Sequence, residues 1–147
     1  MIVGTGIDLT EIPRIQASIQ RFGSRFLERI FTAEEQEYCL RKQKRAAESF
    51  AARFAAKEAC AKALGTGISR GIGWLEIEVV RAPGHRPTLQ LHGRAAAWAS
   101  RLQVSRASLS LSHTGTLAIA CVILETGNDT ATGVPDLLDA IGNESHL

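Results

Sequence analysis

Several features that would narrow the functional class are absent from this 147-residue chain. No apolar run approaches the roughly 20 residues that a membrane-spanning helix needs. The first residues, Met1 to Gly4, lack the charged segment and the cleavage site of a signal peptide. The net charge of +2 is too small to indicate nucleic-acid binding by itself. We therefore expect one globular domain in the cytoplasm, with neither a membrane nor a nucleic acid as its partner.

Cysteine is also scarce. Cys39, Cys60 and Cys121 form an odd, widely spaced set without a CxxC pair or a neighbouring histidine pattern. This spacing argues against a disulfide framework and against a zinc site. We expect reduced and mostly buried thiols.

The GxxxxGK[ST] loop of phosphate-binding proteins is missing as well. The glycine-rich segment from Gly65 to Gly73 follows a predicted helix and precedes a predicted strand, which is the reverse of the order in a dinucleotide-binding fingerprint. It is therefore predicted to be a loop. Its backbone would still suit a phosphate group or a pantetheine arm.

Alanine dominates the segment from Arg53 to Gly65, which predicts a strong helix that ends at a glycine. Glu58 precedes Lys62 by one turn, in the favourable order for an ion pair. A purely solvated helix would not need alanines packed so tightly around its charges. Small residues would let another backbone or a ligand approach, so the segment points to phosphate and metal chemistry.

Helical patterns come before most strand patterns, which indicates the α+β class, with helices packed on a small antiparallel sheet. Ile2 to Ile7 predict a buried strand that ends at Asp8, followed by a helix that Thr10 caps and a second helix opened by a Thr32–Glu35 capping box. Periodicity predicts further strands over 75–80, 88–91, 108–112 and 117–124, and a helix over 94–102. The strand over 75–80 is expected to have one solvent-exposed face. We expect a domain over 1–125 and a polar C-terminal tail over 126–147, with a short helix over 135–141.

Two carboxylates each allow an ordinary structural interpretation and an interpretation as metal ligands. Asp8 alone is more often a helix-entry cap than a metal ligand, by about two to one. Glu58 alone is more often a surface glutamate paired with Lys62. Together they offer carboxylates from two elements, and Mg²⁺ is usually held by one or two carboxylates plus phosphates and water. Cations at Arg53, Lys57 and Lys62 would offset the phosphate charge.

His113 lies at a predicted strand–turn exit, where it is either a satisfied polar residue or a phosphate donor or base. Arginines recur through the first helical region, at Arg14, Arg21, Arg25 and Arg29. A solvated helix face explains them about two times in three. The alternative is a landing surface for an acidic partner.

Four blocks in this order resemble the short, single-domain 4′-phosphopantetheinyl transferases of the holo-acyl-carrier-protein synthase type. They are Gly6–Ile15, Phe31–Glu35 continuing to Tyr38 and Cys39, Arg53–Gly65 and Ser110–His113, and the spacing of Pro87, Leu91 and Gly93 also fits. The resemblance covers about residues 2 to 124 and implies that family's fold. Leu117 stands where many relatives carry an aromatic residue, and the tail exceeds the compact family length.

The resemblance implies an enzyme that moves 4′-phosphopantetheine from coenzyme A to a serine of an apo acyl carrier protein, in fatty acid biosynthesis. Adenosine 3′,5′-bisphosphate would be the other product. Asp8 and Glu58 would bind Mg²⁺, and together with Lys62, which would contact the phosphates, they are the expected catalytic residues. Glu58, directly or through water, is the first choice of general base.

The resemblance also implies the binding residues. Coenzyme A would contact Arg45, Arg53, Lys62, Gly65, Thr66, Pro87 and His113. Within this set, Arg53 and His113, with Arg45 beside them, would bind the 3′-phosphate, and Pro87 would lie near the adenine. The acidic carrier protein would dock on Arg14, Arg21 and Arg25. A homotrimer with sites at subunit interfaces is implied as well.

Two alternatives stay open. One is a non-catalytic module that binds coenzyme A or an acyl carrier protein, which would lack the metal-binding carboxylates. The other is a nucleotide-binding regulatory protein or a hydrolase from an unrelated α+β family. A phosphate-binding loop or a nucleophile elbow would be its sign.

Overall fold

A computed structural model describes residues 1–127 of the chain. The strands are β1 (Ile2–Glu11), β2 (Ile77–Val80), β3 (Thr88–Leu91), β4 (Arg106–His113) and β5 (Leu117–Glu125). The helices are α1 (Ile12–Phe22), α2 (Ser24–Ile30), α3 (Ala33–Leu40), α4 (Ala46–Leu64) and α5 (Gly93–Arg101). The predicted α+β class is confirmed. Most of the predicted tail and the predicted helix over 135–141 lie outside the described residues.

The strands form two antiparallel sheets rather than one. The larger has the order β1-β5-β4, and the smaller joins β2 to β3. The predicted hairpin of β4 and β5 is confirmed, with Ser110 opposite Cys121. The solvent-exposed face predicted for β2 is wrong at Glu78, which is buried like Ile77 and Val79, whereas Val80 is exposed. Glu78 tolerates burial because its carboxylate accepts hydrogen bonds from the protein.

Helix α4 packs across β1 and β5 because the facing residues are small. A Cβ atom on Gly6 would overlap the carbonyl oxygen of Ala59, and one on Gly4 would overlap that of Ala63. Ala59 is fully buried, and Ala63 is 5% exposed. The alanines therefore admit the backbone of β1. The sequence left open whether these alanines admit another backbone or a ligand, and the structure shows another backbone.

Strand β1 continues to Glu11 rather than ending at Asp8, so the predicted helix cap at Thr10 is wrong. The first helix begins at Ile12 with Glu11 as its N-cap residue and no side-chain cap bond. The Thr10 hydroxyl instead donates to Asp8 Oδ2 at 3.0 Å. Asp8 is therefore a residue within a strand, and the interpretation of it as a helix cap is also wrong.

One face of β1 is open, which the predicted buried strand did not anticipate. Side chains alternate along a strand, so Gly6 and Thr10 face α4 while Ile7 and Leu9 point the other way. Ile7 is 63% exposed and Leu9 is 60% exposed. Asp8 shares the side of Gly6 and Thr10, which brings it toward α4.

Two local predictions are confirmed. Thr32 and Glu35 form the predicted capping box at the start of α3. Gly65 ends α4 in the left-handed conformation, with φ at 82°. The first helical region departs from expectation, since Gly23, with φ at 56°, divides it into α1 and α2.

The cysteines are free, as expected, with Cys39 and Cys60 buried and Cys121 half-buried. Burial raises the pKa of the Cys60 thiol to about 12, so this group stays protonated at neutral pH. Within residues 1–127, no helix is long and apolar enough to cross a membrane.

Candidate active site

Strand β1 and helix α4 bring two carboxylates and a lysine together. Lys62 Nζ lies 3.0 Å from Asp8 Oδ1 and donates to the carbonyl oxygen of Ile7 at 3.1 Å. Glu58 lies one turn before Lys62 on α4. In the described part of the chain, the ion pair of Lys62 is made with Asp8. The surface pair of Lys62 with Glu58 is therefore not the one that forms.

The charge of Asp8 affects the pKa of Glu58. The pKa of Glu58 is raised above its usual value, chiefly because burial disfavours the charged carboxylate and secondly because Asp8 repels it. Lys62 acts in the opposite direction. Two mutually repelling carboxylates beside one cation are a donor set that a bound cation would stabilise.

The donor set fits Mg²⁺ better than a softer metal. Among the described residues, no group of three or more His, Cys, Asp or Glu side chains is placed to hold an ion. A metal at Asp8 and Glu58 would therefore take its other ligands from water or from a substrate. Mg²⁺ keeps several waters and binds through one or two carboxylates plus phosphates, which matches this arrangement.

A basic cavity of about 310 Å³ lies beside the first half of α4. The charged side chains that line it are Lys42, Arg45, Glu48, Arg53 and Arg81, and the His113 ring lines it as well. Cations outnumber the carboxylate, so the cavity suits a phosphate group. The structure thus brings together Arg45, Arg53 and His113, as the resemblance implied.

Arg53 is held rigidly although it carries a charge. It is 4% exposed, and its guanidinium carbon lies 4.0 Å from the centre of the Tyr38 ring. Nη1 donates to the Ser49 hydroxyl at 3.2 Å. Nε is buried and has no hydrogen-bond partner within the described residues. A guanidinium group that is held by its neighbours on the wall of a basic cavity suits an anion.

His113 is placed by the pairing of β4 with β5. It lies opposite Ala118, whose side chain is fully buried. The ring therefore lies on the α4 side of the sheet, where its Nε2 is 3.1 Å from Glu48 Oε1. Sequence reasoning missed Glu48, and it gave Tyr38 no role. The presence of Tyr38 in a block of the family resemblance was the signal that would have pointed to it.

Comparisons with known proteins match this geometry. Residues 4–122 match the family model described as the 4′-phosphopantetheinyl transferase superfamily. The chain belongs to that superfamily.

Individual members of the superfamily are similar to this chain over most of its length. A holo-[acyl-carrier-protein] synthase of Koribacter versatilis is 58% identical over 125 residues, which cover 85% of this chain and 99% of the relative. The crystal structure of the synthase from Neisseria meningitidis has a TM-score of 0.78 at 34% identity, with 86% of this chain and 100% of that chain covered. The Helicobacter pylori synthase in complex with coenzyme A has a TM-score of 0.72 at 35% identity, covering 82% and 99%. The resemblance inferred from the four blocks is confirmed, and so is the predicted fold.

Lys57 does not lie where a phosphate would meet it, although it is part of the block that resembles the transferases. Its side chain is fully buried, and Nζ donates to Glu35 Oε1 at 2.7 Å. Further bonds run to the carbonyl oxygens of Ile77, at 2.6 Å, and Trp74, at 3.0 Å. The expectation that Lys57 offsets phosphate charge is therefore wrong, and its role in this transferase is structural.

The remaining coenzyme A contacts that the transferase resemblance implied lie outside the basic cavity. The N–H groups of Gly65 and Thr66 donate to the carbonyl oxygens of Lys62 and Ala61, so they cap α4. The Thr66 hydroxyl is turned inward and donates to Gly67. These positions would offer a ligand close backbone approach rather than amide donors.

Pro87 lies beside a neighbouring cavity of about 400 Å³. Arg81 and Leu111 line this cavity and also the basic cavity. A ligand that fills both would therefore pass Arg81. The role of Pro87 near the adenine stays a prediction.

The arginines of the first helical region are exposed, with Arg14 and Arg21 on α1 and Arg25 on α2. The break at Gly23 distributes them over two helices. Their docking role stays a prediction.

A serine-nucleophile pattern in the loop after α4 does not form a nucleophile elbow. Residues Gly67 to Gly71 spell GxSxG, but such an elbow joins a strand to a helix. Here the segment follows the end of a helix. The Ser69 hydroxyl donates to the carbonyl oxygen of Thr66 at 2.6 Å. This geometry disfavours the hydrolase alternative.

Proposed function

We propose that the chain transfers the 4′-phosphopantetheine group of coenzyme A to a serine of an apo acyl carrier protein. One observation carries the proposal. Asp8, Glu58 and Lys62 meet between β1 and α4, inside the segment that matches the superfamily. A binding module would not need Asp8 placed where its charge raises the pKa of Glu58.

In this reaction the serine oxygen attacks the β-phosphorus of the coenzyme A diphosphate. A P–O bond to serine forms, the P–O bond to adenosine 3′,5′-bisphosphate breaks, and the serine proton passes to a base. Such transfer depends mainly on alignment and on charge neutralisation at the phosphoryl oxygens. Lys62 supplies a cation for those oxygens. Glu58, whose pKa is raised, is the base that we favour, directly or through a water.

Asp8 and Glu58 would hold Mg²⁺, which when bound neutralises charge on the diphosphate. Lys62 now pairs with Asp8, and a bound ion would free it to contact a phosphate oxygen. The fit rests on the donor set, since two close carboxylates that repel each other gain from a shared cation.

The 3′-phosphate of coenzyme A would bind in the basic cavity, at Arg45, Arg53 and His113. Arg53 supports this assignment most strongly, because Tyr38 and Ser49 hold its guanidinium group at the wall of the cavity. Glu48 keeps His113 oriented and would yield to the phosphate.

A homotrimer with sites at subunit interfaces would bring the Asp8, Glu58 and Lys62 group of one subunit next to the basic cavity of another. Asp8, Glu58 and Lys62 do not line the basic cavity. The open face of β1 carries Ile7 and Leu9, both more than half exposed, as a surface on which subunits would pack. Light scattering of the wild type and of Ile7→Lys tests this assembly. A monomeric wild type would contradict it.

We assign the reaction to fatty acid biosynthesis in the cytoplasm. The three free cysteines fit a reducing compartment.

The decisive experiment incubates the protein with coenzyme A, Mg²⁺ and several apo carrier proteins, followed by mass spectrometry of the carriers. We expect a mass gain of one phosphopantetheine group, which chelator prevents. Glu58→Gln should abolish the gain, whereas Glu28→Gln, an exposed glutamate on α2, should keep it. Coenzyme A binding without any mass gain would identify a non-catalytic module and overturn the proposal.

A further inference from the structure

A second basic cavity, of about 260 Å³, lies at the other end of α4. Arg70, Arg94 and Arg101 line it, and Ile72, Ala97 and Trp98 provide its apolar surface. None of these residues lines the 310 Å³ cavity beside the start of α4. The cavity is therefore separate from the proposed 3′-phosphate site.

The three guanidinium groups of this cavity have no carboxylate partner in the described part of the chain. Within residues 1–127, none of Arg70, Arg94 and Arg101 makes an ion pair. The carboxylate of Glu76 accepts a hydrogen bond from the backbone of Ala95, at the start of α5, and is occupied there. Three uncompensated guanidiniums around one small cavity favour a ligand with phosphate charge, which their planar donor pattern matches.

Trp98 gives the cavity an aromatic wall in a fixed position. Its indole N–H donates to the carbonyl oxygen of Leu64 at 2.9 Å, which anchors the ring against the last residue of α4. The guanidinium carbon of Arg101 lies 5.9 Å from the centre of the ring. A ligand held by Arg101 would therefore touch the indole. An organic group attached to a phosphate gains apolar and stacking contact there.

The cavity also touches the loop that the transferase resemblance assigns to coenzyme A. Arg70 and Ile72 belong to the segment that follows Gly65. The backbone of Gly71 passes so close to the Arg94 guanidinium that a Cβ atom there would overlap it. A ligand bound by Arg70 and Arg94 would join this loop to α5.

We propose that this cavity binds a small organic phosphate, with the phosphate group on Arg70, Arg94 and Arg101 and the organic group against Trp98. The volume suits a small molecule rather than a protein segment. Binding would hold the loop after Gly65 against α5, because Arg70 belongs to the loop and Arg94 and Arg101 belong to α5. The inference stands apart from the proposed function, because the residues that line this cavity include neither Asp8, Glu58 and Lys62 nor any residue of the 310 Å³ cavity.

The test is a titration of ¹⁵N-labelled protein with phenyl phosphate and, separately, with inorganic phosphate, at constant ionic strength. The indole N–H signal of Trp98 reports on the cavity, and Trp74→Phe assigns it. We expect a saturable shift of this signal, with tighter binding of phenyl phosphate than of inorganic phosphate. Equal binding of the two probes would overturn the role of Trp98 and with it the organic ligand.

Variants locate the binding. The double variant Arg94→Gln/Arg101→Gln should raise the Kd at least about tenfold, since each charge-assisted hydrogen bond contributes a large share of the affinity. The matched control, Arg29→Gln/Arg106→Gln, removes two exposed arginines elsewhere and should leave the Kd unchanged. Lys62→Gln should also leave it unchanged, which separates this cavity from the transfer site. Equal weakening in both double variants, a non-saturating shift, or loss of binding in Lys62→Gln would overturn the proposal.

Discussion

The guanidinium carbon of Arg53 lies 4.0 Å from the centre of the Tyr38 ring, so an aromatic residue of α3 orients a buried cation of α4. We predict that Tyr38→Leu raises the KM for coenzyme A, because a cation–π contact of this kind is worth about 0.5–2 kcal/mol. This corresponds to an increase of about 2- to 30-fold. Steady-state kinetics of carrier modification measures it.

Two comparisons make this prediction specific. Tyr38→Phe keeps the ring and should stay close to wild type. Dephospho-coenzyme A lacks the 3′-phosphate, so its KM should change little in Tyr38→Leu. An equal loss with both substrates would show that Tyr38 supports the fold generally rather than the phosphate contact of Arg53.

Gly6 and the carbonyl group of Ala59 are so close that β1 tolerates no side chain at this position. Gly6→Ala is expected to lower the free energy of unfolding by at least about 1–3 kcal/mol, the usual effect of overpacking a core. Urea unfolding measures the change. Thr5→Ala, at the exposed neighbouring position, is the control. Equal stability of the two variants would contradict the close packing of β1 on α4.

Local chemistry made much of this fold predictable. The Thr32–Glu35 capping box and the left-handed Gly65 need only a few neighbouring residues, and both were predicted correctly. The helix cap at Thr10 failed because β1 gains hydrogen bonds from β5 as far as Glu11, and these outweigh the local capping preference. Pairing partners more than 100 residues away leave no signal in a short window.

The structure brings three of the predicted site residues close together, but not through the predicted contact. Asp8, Glu58 and Lys62 were identified together, yet Lys62 was expected to pair along its own helix with Glu58. The pair with Asp8 depends on which face of β1 meets α4, and only the packed structure decides that. Lys57 failed for the same reason, since its position on α4 turns it into the core.

Lys57 and Glu35 form a fully buried ion pair that joins α4 to α3. Lys57→Met is expected to lower the free energy of unfolding by about 3–5 kcal/mol, because it leaves the Glu35 carboxylate buried without its cation. The double variant Lys57→Met/Glu35→Gln should recover part of the loss. Urea unfolding measures both, with the exposed Lys44→Met as control. A full loss of activity in stably folded Lys57→Met would contradict a purely structural role.

Arg14 and Arg21 project from α1 as exposed cations. If an acidic carrier protein docks there, Arg14→Glu/Arg21→Glu should raise the KM for the carrier and leave the KM for coenzyme A unchanged. The effect should shrink as salt is added, because salt screens exposed charges. Arg106→Glu, which changes an exposed arginine on β4 outside this surface, is the control. Equal effects on both substrates would contradict a docking surface.

Glu58 should reveal its role through stability as well as through activity. Its folded-state pKa is raised above the usual value of 4.5, chiefly by burial and then by Asp8. The folded protein therefore binds this proton more tightly than the unfolded chain does. The stability that the proton confers is present below the usual pKa and is lost as the pH rises through the raised folded-state pKa.

Glu58→Gln removes the buried charge, so without metal it should be at least as stable as the wild type at pH 7. Mg²⁺ should raise the Tm of the wild type and leave that of Glu58→Gln unchanged, because a ligand stabilises only a state that binds it. Thermal unfolding between pH 4 and pH 8, with Mg²⁺ or with chelator, measures both effects, and Glu28→Gln should behave as the wild type. A Glu58→Gln variant that is less stable than the wild type at pH 7 would show that Glu58 supports the fold. A Glu58→Gln variant that Mg²⁺ stabilises as strongly as the wild type would contradict the role of Glu58 as a metal ligand.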